Sequence, residues 1–239
     1  MIAVRRATER HHDRRRELES WQTFPPQDGA GRQAGGFGAL EGLNEFRLPP
    51  GEGIPRQAHG EAEIVTYVRE GALAYEDSLG ASGVLCAGEF QRLTSGRSVR
   101  HGESNASRTD WAHVFQVWLH PAQAGLEPTH VQKRFSAADR RGLLCPVASS
   151  DGRRGSLQVH LDALLYSGSL YPGQHAVHEL EAGRTAWLHL VQGEALLGDL
   201  VLASGDGAGF TAERAVSLTA RAETEILLLD LGVALPWAR

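Results

Sequence analysis

Length, composition and charge exclude several classes of protein. The chain has 239 residues, 41% hydrophobic and 22% charged, so it can bury a core and is not disordered by composition. A net charge of −5 argues against general nucleic-acid binding. With no apolar run of about 18 residues and no leader pattern at 1–16, we expect no membrane partner. Two cysteines, Cys86 and Cys145, are too few for a disulfide scaffold and favour the reducing cytoplasm.

Short aliphatic and β-branched runs, separated by Gly and Pro, predict a mostly β protein. Runs of this length that are bounded by turn residues are typical of strands in a sandwich or barrel. The clearest ones are 64–68, 114–119, 186–191 and 225–229. Helical patterning is weak, and only 14–18 and 137–141 are expected to form a helical turn or two.

An internal repeat indicates that the chain is a duplicated unit. A pair of glycines 20 residues apart, followed by a further glycine turn, occurs in each half: Gly51, Gly71 and Gly88, then Gly173, Gly193 and Gly205. Chance similarity between glycine-rich β proteins is the competing interpretation. The repeat predicts two tandem β-barrels, at 1–135 and 150–239, joined by a connection at 136–149.

Two pairs of polar residues in the first half have the spacing of metal ligands. Gln57 and His59 precede the predicted strand at 64–68, and His101 and Glu103 follow the turn at Gly88. Residues i and i+2 of a strand point to the same side, so both pairs could converge inside one barrel. Two imidazoles and a carboxylate bind a first-row divalent metal and leave coordination positions open. A surface His-x-Glu pattern is the alternative.

These residues lie in motifs that resemble a known family. Gly51 to Glu63 resembles the first cupin motif with its first histidine changed to glutamine, and Gly88 to Asn105 resembles the second. Further segments resemble the pirin family: 36–38, 43–45, 63–68, 70–73, 77–78, 91–92, 116–118 and 132–135. The resemblance runs from Val4 to the C-terminus and is densest before residue 135.

The resemblance implies two tandem cupin barrels with a single metal in the first. In that family the metal is usually iron, so we expect Fe(II), with Ni, Mn or Zn as alternatives. The implied ligands are Gln57, His59, His101 and Glu103, and Glu63 is implied not to be one. Members of the family are linked to quercetin 2,3-dioxygenase activity, and some to regulatory protein–protein contacts.

Gln57 is where this chain departs from the family's pattern. An amide oxygen is a weaker donor than an imidazole nitrogen for a borderline metal. Gln57 could bind through its oxygen, or a water could fill the position and leave a set of two histidines and one carboxylate. Loss of the metal is the third alternative, because changes in ligands can strongly weaken a metal site.

The repeat predicts that the second half holds no metal. The offsets of Gln57 and His59 from Gly51 fall on Glu179 and Glu181 when they are counted from Gly173. The offsets of His101 and Glu103 from Gly88 fall on Leu218 and Ala220 when they are counted from Gly205. Apolar side chains cannot bind a metal ion.

Two functions remain open at this point. The first is a metal-dependent oxidoreductase, a dioxygenase that acts on a flavonol or a related small aromatic substrate. The second is a regulatory or protein-interaction module that uses the metal without turnover. The sequence assigns no catalytic residue beyond the metal ligands.

Overall fold

The computed structural model describes residues 1–24, 36–54, 61–96 and 100–233, which form an almost entirely β protein. The first strands are β1 (Ile2–Arg5), β2 (His11–Arg15), β3 (Leu18–Gln22), β4 (Leu40–Leu48), β5 (Glu63–Glu70), β6 (Ala72–Asp77), β7 (Ser82–Cys86), β8 (Glu89–Thr94), β9 (His101–Asn105), β10 (Ala112–Leu119) and β11 (Thr129–Arg134). Then follow helix α1 (Ala137–Arg140), β12 (Cys145–Ser149), β13 (Leu157–Gln158), β14 (Ala163–Leu170), β15 (His175–Glu179), β16 (Thr185–Gln192), β17 (Glu194–Leu197), β18 (Leu200–Ala203), β19 (Gly207–Phe210), β20 (Ala215–Ala220) and β21 (Thr224–Leu231). Two 3-10 turns, at Ala7–Glu9 and Arg153–Gly155, complete the described elements.

The chain divides into two compact units. One comprises Arg10–Gly36 and Leu40–Phe135, and we call it the first barrel. The other comprises Met1–Glu9, Phe37–Ala39 and Ser136–Arg239, and we call it the second barrel. The expected division differs from this one at three places. Residues 1–9 and Phe37–Ala39 group with the second barrel, and the expected connection at 136–149 lies inside it.

The first barrel consists of a large and a small antiparallel sheet. The large sheet has the strand order β11-β8-β5-β10-β4-β3-β2, and the small sheet has the order β7-β6-β9. Buried apolar side chains of both sheets, among them Phe46, Leu73 and Val114, pack into one core cluster. The two sheets therefore face each other across this core.

The second barrel repeats the strand order of the large sheet, and its described small sheet has one strand more. Its large sheet has the order β1-β19-β16-β21-β14-β12-β13, and its small sheet has the order β15-β20-β17-β18. The central strands correspond one to one, with β5 matching β16 and β10 matching β21. The matching order supports a duplication. At the edge, β1 from the start of the chain occupies the place that β11 has in the first barrel, which is why residues 1–9 belong to the second.

The four predicted strands are confirmed, since they lie within β5, β10, β16 and β21. The helical turn expected at 137–141 is confirmed as α1, whose first turn is capped reciprocally by Ser136 and Asp139. The prediction of a helical turn at 14–18 is wrong. These residues form the hairpin between β2 and β3, and Arg16 supplies the positive φ of 58° that such a tight turn requires.

None of the helices in the described ranges has the length and hydropathy needed to cross a membrane.

Candidate metal centre

The structure describes two of the four predicted ligands. His101 and Glu103 lie on β9, on the same side of the strand. Their side is the barrel interior, because Asn105 on that side pairs with Leu73, a member of the core cluster. Gln57 and His59 lie outside the described residues. Within the described ranges, no group of three or more His, Cys, Asp or Glu is placed to hold a metal ion.

Glu103 is a half-buried carboxylate held by a neutral amide from the opposite sheet. Gln116 Nε2 on β10 donates to Glu103 Oε2 at 2.6 Å. Burial raises the pKa of Glu103 to about 7, although the hydrogen bond from Gln116 lowers it. A neutral donor leaves the charge of the ionised carboxylate uncompensated, and a bound cation would compensate it.

A second hydrogen bond orients the Gln116 amide. Trp118 Nε1, two residues along β10, lies 3.4 Å from Gln116 Oε1 and donates to it. With its oxygen turned toward the indole, Gln116 can present only its NH₂ group to Glu103. Both side chains are buried, with Gln116 2% and Trp118 5% exposed.

Gln116 belongs to a row of polar residues that crosses the large sheet. The ladder places Gln116 opposite Thr66 on β5, and Thr66 opposite Gln91 on β8. On the other side, Gln116 lies opposite Asn44 on β4. Directly opposed residues share one face, so all four buried side chains face the barrel interior, as Gln116 does. We call these four residues the polar row.

The polar row separates two apolar clusters inside the barrel. One cluster contains Phe46, Val68 and Val114, and the other contains Ile64, Leu93 and Trp118. Glu103 reaches the polar layer between them through Gln116. The site is thus a polar layer enclosed by apolar packing on both sides.

Tyr75 lies beside Glu103 on the small sheet. The register of β6 and β9 places these residues directly opposite each other. Both line a cavity of about 590 Å³, together with Ile54 and Gly83. Tyr75 Oη lies 3.2 Å from Gln132 Oε1 and donates to it. A smaller cavity of about 310 Å³ is lined by His101 and Asp77, which oppose each other on the same two strands.

Two other residues belong to the motifs that carry the resemblance. Glu63 lies outside the interior layer, and Asn105 bonds to backbone oxygens. Glu63 opposes Thr94 and lies three residues before Thr66 of the polar row. Residues an odd number apart on a strand point to opposite faces, so the Glu63 side chain is on the other face of the large sheet, where Arg92 lies. Asn105 is buried and its amide donates to the backbone oxygens of Leu48, Pro49 and Asp110. Asn105 therefore fixes the loops around β9.

The second barrel has apolar side chains at the matching positions. Ala195 on β17 opposes Ala220 on β20, as Leu73 opposes Asn105 in the first barrel. The structural counterparts of His101 and Glu103 are therefore Val216 and Leu218. The expected pair, Leu218 and Ala220, was two residues too far along, because the connection before β20 is two residues shorter than the one before β9.

The polar row is also replaced in the second barrel. The strand register of the second barrel gives the counterpart of each residue: Ala208 for Gln91, Leu188 for Thr66, Leu228 for Gln116 and Tyr166 for Asn44. Ala208, Leu188 and Leu228 belong to the core cluster, and Tyr166 packs against it. Among the described residues of the second barrel, the four positions that correspond to the polar row are therefore apolar or aromatic.

His178 of the second barrel has carboxylate contacts that the sequence did not reveal. Its Nε2 lies 2.7 Å from Asp230 Oδ2, and Arg184 Nε donates to Asp230 Oδ1 at 2.5 Å. Burial raises the pKa of Asp230, but the hydrogen bonds from His178 and Arg184 outweigh it and leave the pKa low. This group is a paired ionic network, while His175 bonds to hydroxyl groups on β20.

Sequence reasoning did not assign Gln116 or Gln91 to the site. A signal was present, since Gln116 is the one strongly polar residue in the apolar run 114–119. A buried amide in such a strand requires a partner. Its partner, Glu103, lies on the opposite sheet, so only the folded barrel identifies it.

Comparison with known proteins agrees with this architecture. Residues 3–119 match the family model for pirin, and residues 146–231 match the model described as the quercetinase C-terminal cupin domain. The chain belongs to the pirin family. The two barrels of this pirin-family chain are therefore tandem cupin domains.

Relatives of known name cover nearly the whole chain. A protein named quercetin 2,3-dioxygenase from Escherichia coli K12 is 36% identical over 231 residues, which are 97% of this chain and 99% of the relative. A pirin-like protein from Caulobacter vibrioides is 31% identical over 195 residues, which are 81% of this chain and 84% of the relative.

Two solved structures extend the similarity to the fold. The crystal structure of YhhW from Escherichia coli superposes with a TM-score of 0.89 at 35% identity and covers 99% of this chain and 100% of its own. Bacterial pirin YhhW in complex with nickel(II) gives a TM-score of 0.87 at 35% identity, with 98% of this chain and 100% of its own covered.

Proposed function

We propose that this protein is a metal-dependent oxidoreductase of the quercetin 2,3-dioxygenase type, with one divalent metal in the first barrel. The observation that carries the proposal is the half-buried Glu103 carboxylate, which accepts from a neutral amide and lies on the same side of one strand as His101. The names of the relatives supply the reaction class.

The donor set fits a first-row divalent metal. His101 and Glu103 offer an imidazole and a carboxylate on the interior face of β9, and we propose His59 as the second imidazole. Gln57 is the fourth proposed ligand, through its amide oxygen, with water as the alternative at that position. Imidazole and carboxylate ligands suit Fe(II), Mn(II), Ni(II) and Zn(II). Fe(II) is our choice for the resident metal, because the reaction class uses O₂.

The chain's own residues position the reactants. The metal would supply Lewis-acid and redox chemistry to a bound oxygen-bearing aromatic. Gln116 holds the Glu103 carboxylate in one orientation, and the Trp118 contact holds Gln116. The apolar clusters on both sides of the polar row keep bulk water from this layer.

The substrate that we propose is a flavonol or a related small aromatic. The cavity of about 590 Å³ beside Glu103 is within the range of small-molecule sites. The two cysteines, Cys86 and Cys145, are free thiols, which supports a cytoplasmic location.

Oxygen consumption tests this function. Metal-free protein is loaded with Fe(II) or Ni(II) under argon and then mixed with quercetin and O₂ in an oxygen electrode. We expect quercetin-dependent O₂ uptake that is lost in Glu103→Gln and retained in Glu89→Gln, whose carboxylate lies at the start of β8 and accepts a hydrogen bond from the backbone N–H of Cys86. Metal-loaded wild type that binds quercetin without O₂ uptake would contradict the enzymatic function.

A further inference from the structure

Gln91 is a buried polar side chain with an unused donor. It is 3% exposed and lies on β8, in the polar row. Among the described residues, its Nε2 has no hydrogen-bond partner. A buried amide without a partner costs about 1–3 kcal/mol, so such groups are rare and call for a reason.

The position of Gln91 points to a ligand. On one side of Gln91, Thr66 lies between it and Gln116 in the large sheet. On the other side, Gln91 is directly opposite Gln132 on β11. Gln132 accepts a hydrogen bond from Tyr75, and Gln116 donates one to Glu103. Tyr75 and Glu103 are themselves directly opposed on the small sheet. Gln91 and Thr66 therefore lie across the barrel from the stretch between Tyr75 and Glu103.

We propose that Gln91 is the hydrogen-bond donor of a subsite, beside Glu103, that binds an oxygen atom of a planar aromatic ligand. The inference rests on the proposed function and names a second anchor for its substrate. Gln116 is committed to Glu103, whereas Gln91 Nε2 is available to a carbonyl, hydroxyl or phenolate oxygen. Two strand spacings, about 10 Å, separate the two glutamines along the sheet. A ligand with oxygen atoms on more than one ring would satisfy Gln91 while it reaches the Glu103 region.

The walls of this region suit a flat ligand. The Tyr75 ring lies over Gly83, where an added Cβ would come 2.6 Å from the phenol oxygen. Its ring centroid lies 5.4 Å from that of His130, in an edge-to-face arrangement. The Tyr75 ring is thereby held in place next to Glu103. Ile64 and Leu93, neighbours of Thr66 and Gln91 on the same face, add an apolar surface.

The test separates a ligand-binding role from a structural one. Gln91→Leu and the unbranched Gln91→Met remove the donor and keep the volume, and Gln158→Leu removes an exposed amide in the second barrel as the matched control. Each protein is titrated with quercetin under argon, metal-free and loaded with Ni(II), and is followed by fluorescence quenching. Thermal unfolding and Ni(II) affinity are measured on the same samples.

We expect both Gln91 variants to keep or raise the melting temperature, because they remove an unsatisfied buried group. Their quercetin affinity should fall about fivefold or more, the value of one neutral hydrogen bond, with Ni(II) affinity unchanged. A lower melting temperature with unchanged quercetin affinity would show that Gln91 is a structural residue and would overturn the subsite alone. Wild type that binds no quercetin in either form would overturn the proposed function and the subsite together.

Discussion

The amide of Gln116 has a hydrogen-bond partner at each of its two ends. Its two ends have different partners, Trp118 on its own strand and Glu103 on the opposite sheet. Because an amide can donate only through its nitrogen, this pair of contacts selects one of the two amide orientations. The carboxylate therefore meets a fixed donor, so its orientation does not depend on a bound ion.

Replacing Gln116 by Leu should weaken metal binding without loss of any proposed ligand. Contacts that orient a ligand are worth about 10- to 100-fold in metal affinity, so we expect a loss in that range. The Ni(II) dissociation constant, measured by competition with a chromogenic chelator, checks this, with Gln158→Leu as the control. An unchanged constant would mean that Gln116 does not orient the metal-binding carboxylate.

Gln57→His should tighten metal binding, on the order of 10-fold, because an imidazole nitrogen binds borderline metals more strongly than an amide oxygen. The formal charge of the site is unchanged by this substitution, so a difference would report bond strength. Titration of both proteins with Fe(II) and Ni(II) under argon gives the comparison. Equal affinities would show that position 57 does not touch the metal.

At the scale of elements, a buried ionic group ties together strands of the first barrel's large sheet. Glu45 on β4 accepts from Arg10, which precedes β2, at 2.7 Å and lies 2.8 Å from His113 Nε2 on β10. Burial raises the pKa of Glu45, but the hydrogen bond of His113 and the charge of Arg10 outweigh it, leaving the pKa at about 2.

This group predicts a pH dependence of stability. A carboxylate with a depressed pKa stabilises the fold fully above its unfolded pKa of 4.5, and the contribution is lost as the pH falls toward 2. Glu45→Gln should therefore lower the free energy of unfolding by up to about 3 kcal/mol at pH 7, and by progressively less below pH 4.5. Urea unfolding at several pH values measures this difference.

The matched control is Glu41→Gln, which alters a Glu–His pair of similar length, 2.7 Å, that is about 40% exposed. Exposed pairs contribute little, so we expect a small change there. A difference between wild type and Glu45→Gln that stays constant from pH 7 to pH 3 would contradict the depressed pKa.

The edge strand β1 is the other element with a testable role. Val4 on β1 packs against the core cluster of the second barrel, whereas its neighbour Ala3 is exposed. Val4→Asp should destabilise the protein by roughly 1–3 kcal/mol because it places a polar group against apolar side chains. Ala3→Asp, on the opposite face, should change stability by less than about 0.5 kcal/mol. Equal thermal unfolding of the two variants would show that β1 is not part of the core.

At the scale of the whole molecule, the two barrels share the strand order of the large sheet, as a duplication predicts, but have different interiors. The first keeps a polar row and the half-buried Glu103, and the second has Leu188, Leu228 and Leu218 at matching positions. A charged group in an apolar interior of this kind would be strongly unfavourable. The shared strand order and the unshared interior indicate that the second barrel kept the fold but not the polar row or the counterparts of His101 and Glu103.

The protein should therefore bind one metal ion per chain. Metal-free protein is incubated with excess Ni(II), dialysed and subjected to elemental analysis, and we expect one nickel per chain in wild type. The double variant His101→Ala, Glu103→Ala should retain none, because the second barrel has Val216 and Leu218 at these places. Two retained ions in wild type, or one in the double variant, would contradict this assignment.

The sequence by itself determined the strands and the duplication. Aliphatic runs such as 114–119 and 225–229 became β10 and β21 because strand formation follows from local hydrophobic patterns bounded by turn residues. The glycine spacing of the two halves reappears as matching strand order. The spacing of His101 and Glu103 likewise sufficed to place both on one face of a strand, while Gln57 and His59 stay a prediction.

The tertiary structure alone decided the register between the halves and the partners inside each barrel. The connection before β20 is two residues shorter than the one before β9, so the counterparts of His101 and Glu103 are Val216 and Leu218. Counting from Gly205 in the sequence could not detect this difference. The bond between Glu103 and Gln116 joins residues 13 apart in the chain, and the pairing of His178 with Asp230 joins residues 52 apart. Whether the donor of Gln91 finds a partner among the described residues is decided in the same way, by which strands surround it. Strand patterns follow from neighbours in the sequence, whereas such contacts depend on how sheets pair and close, which no local pattern encodes.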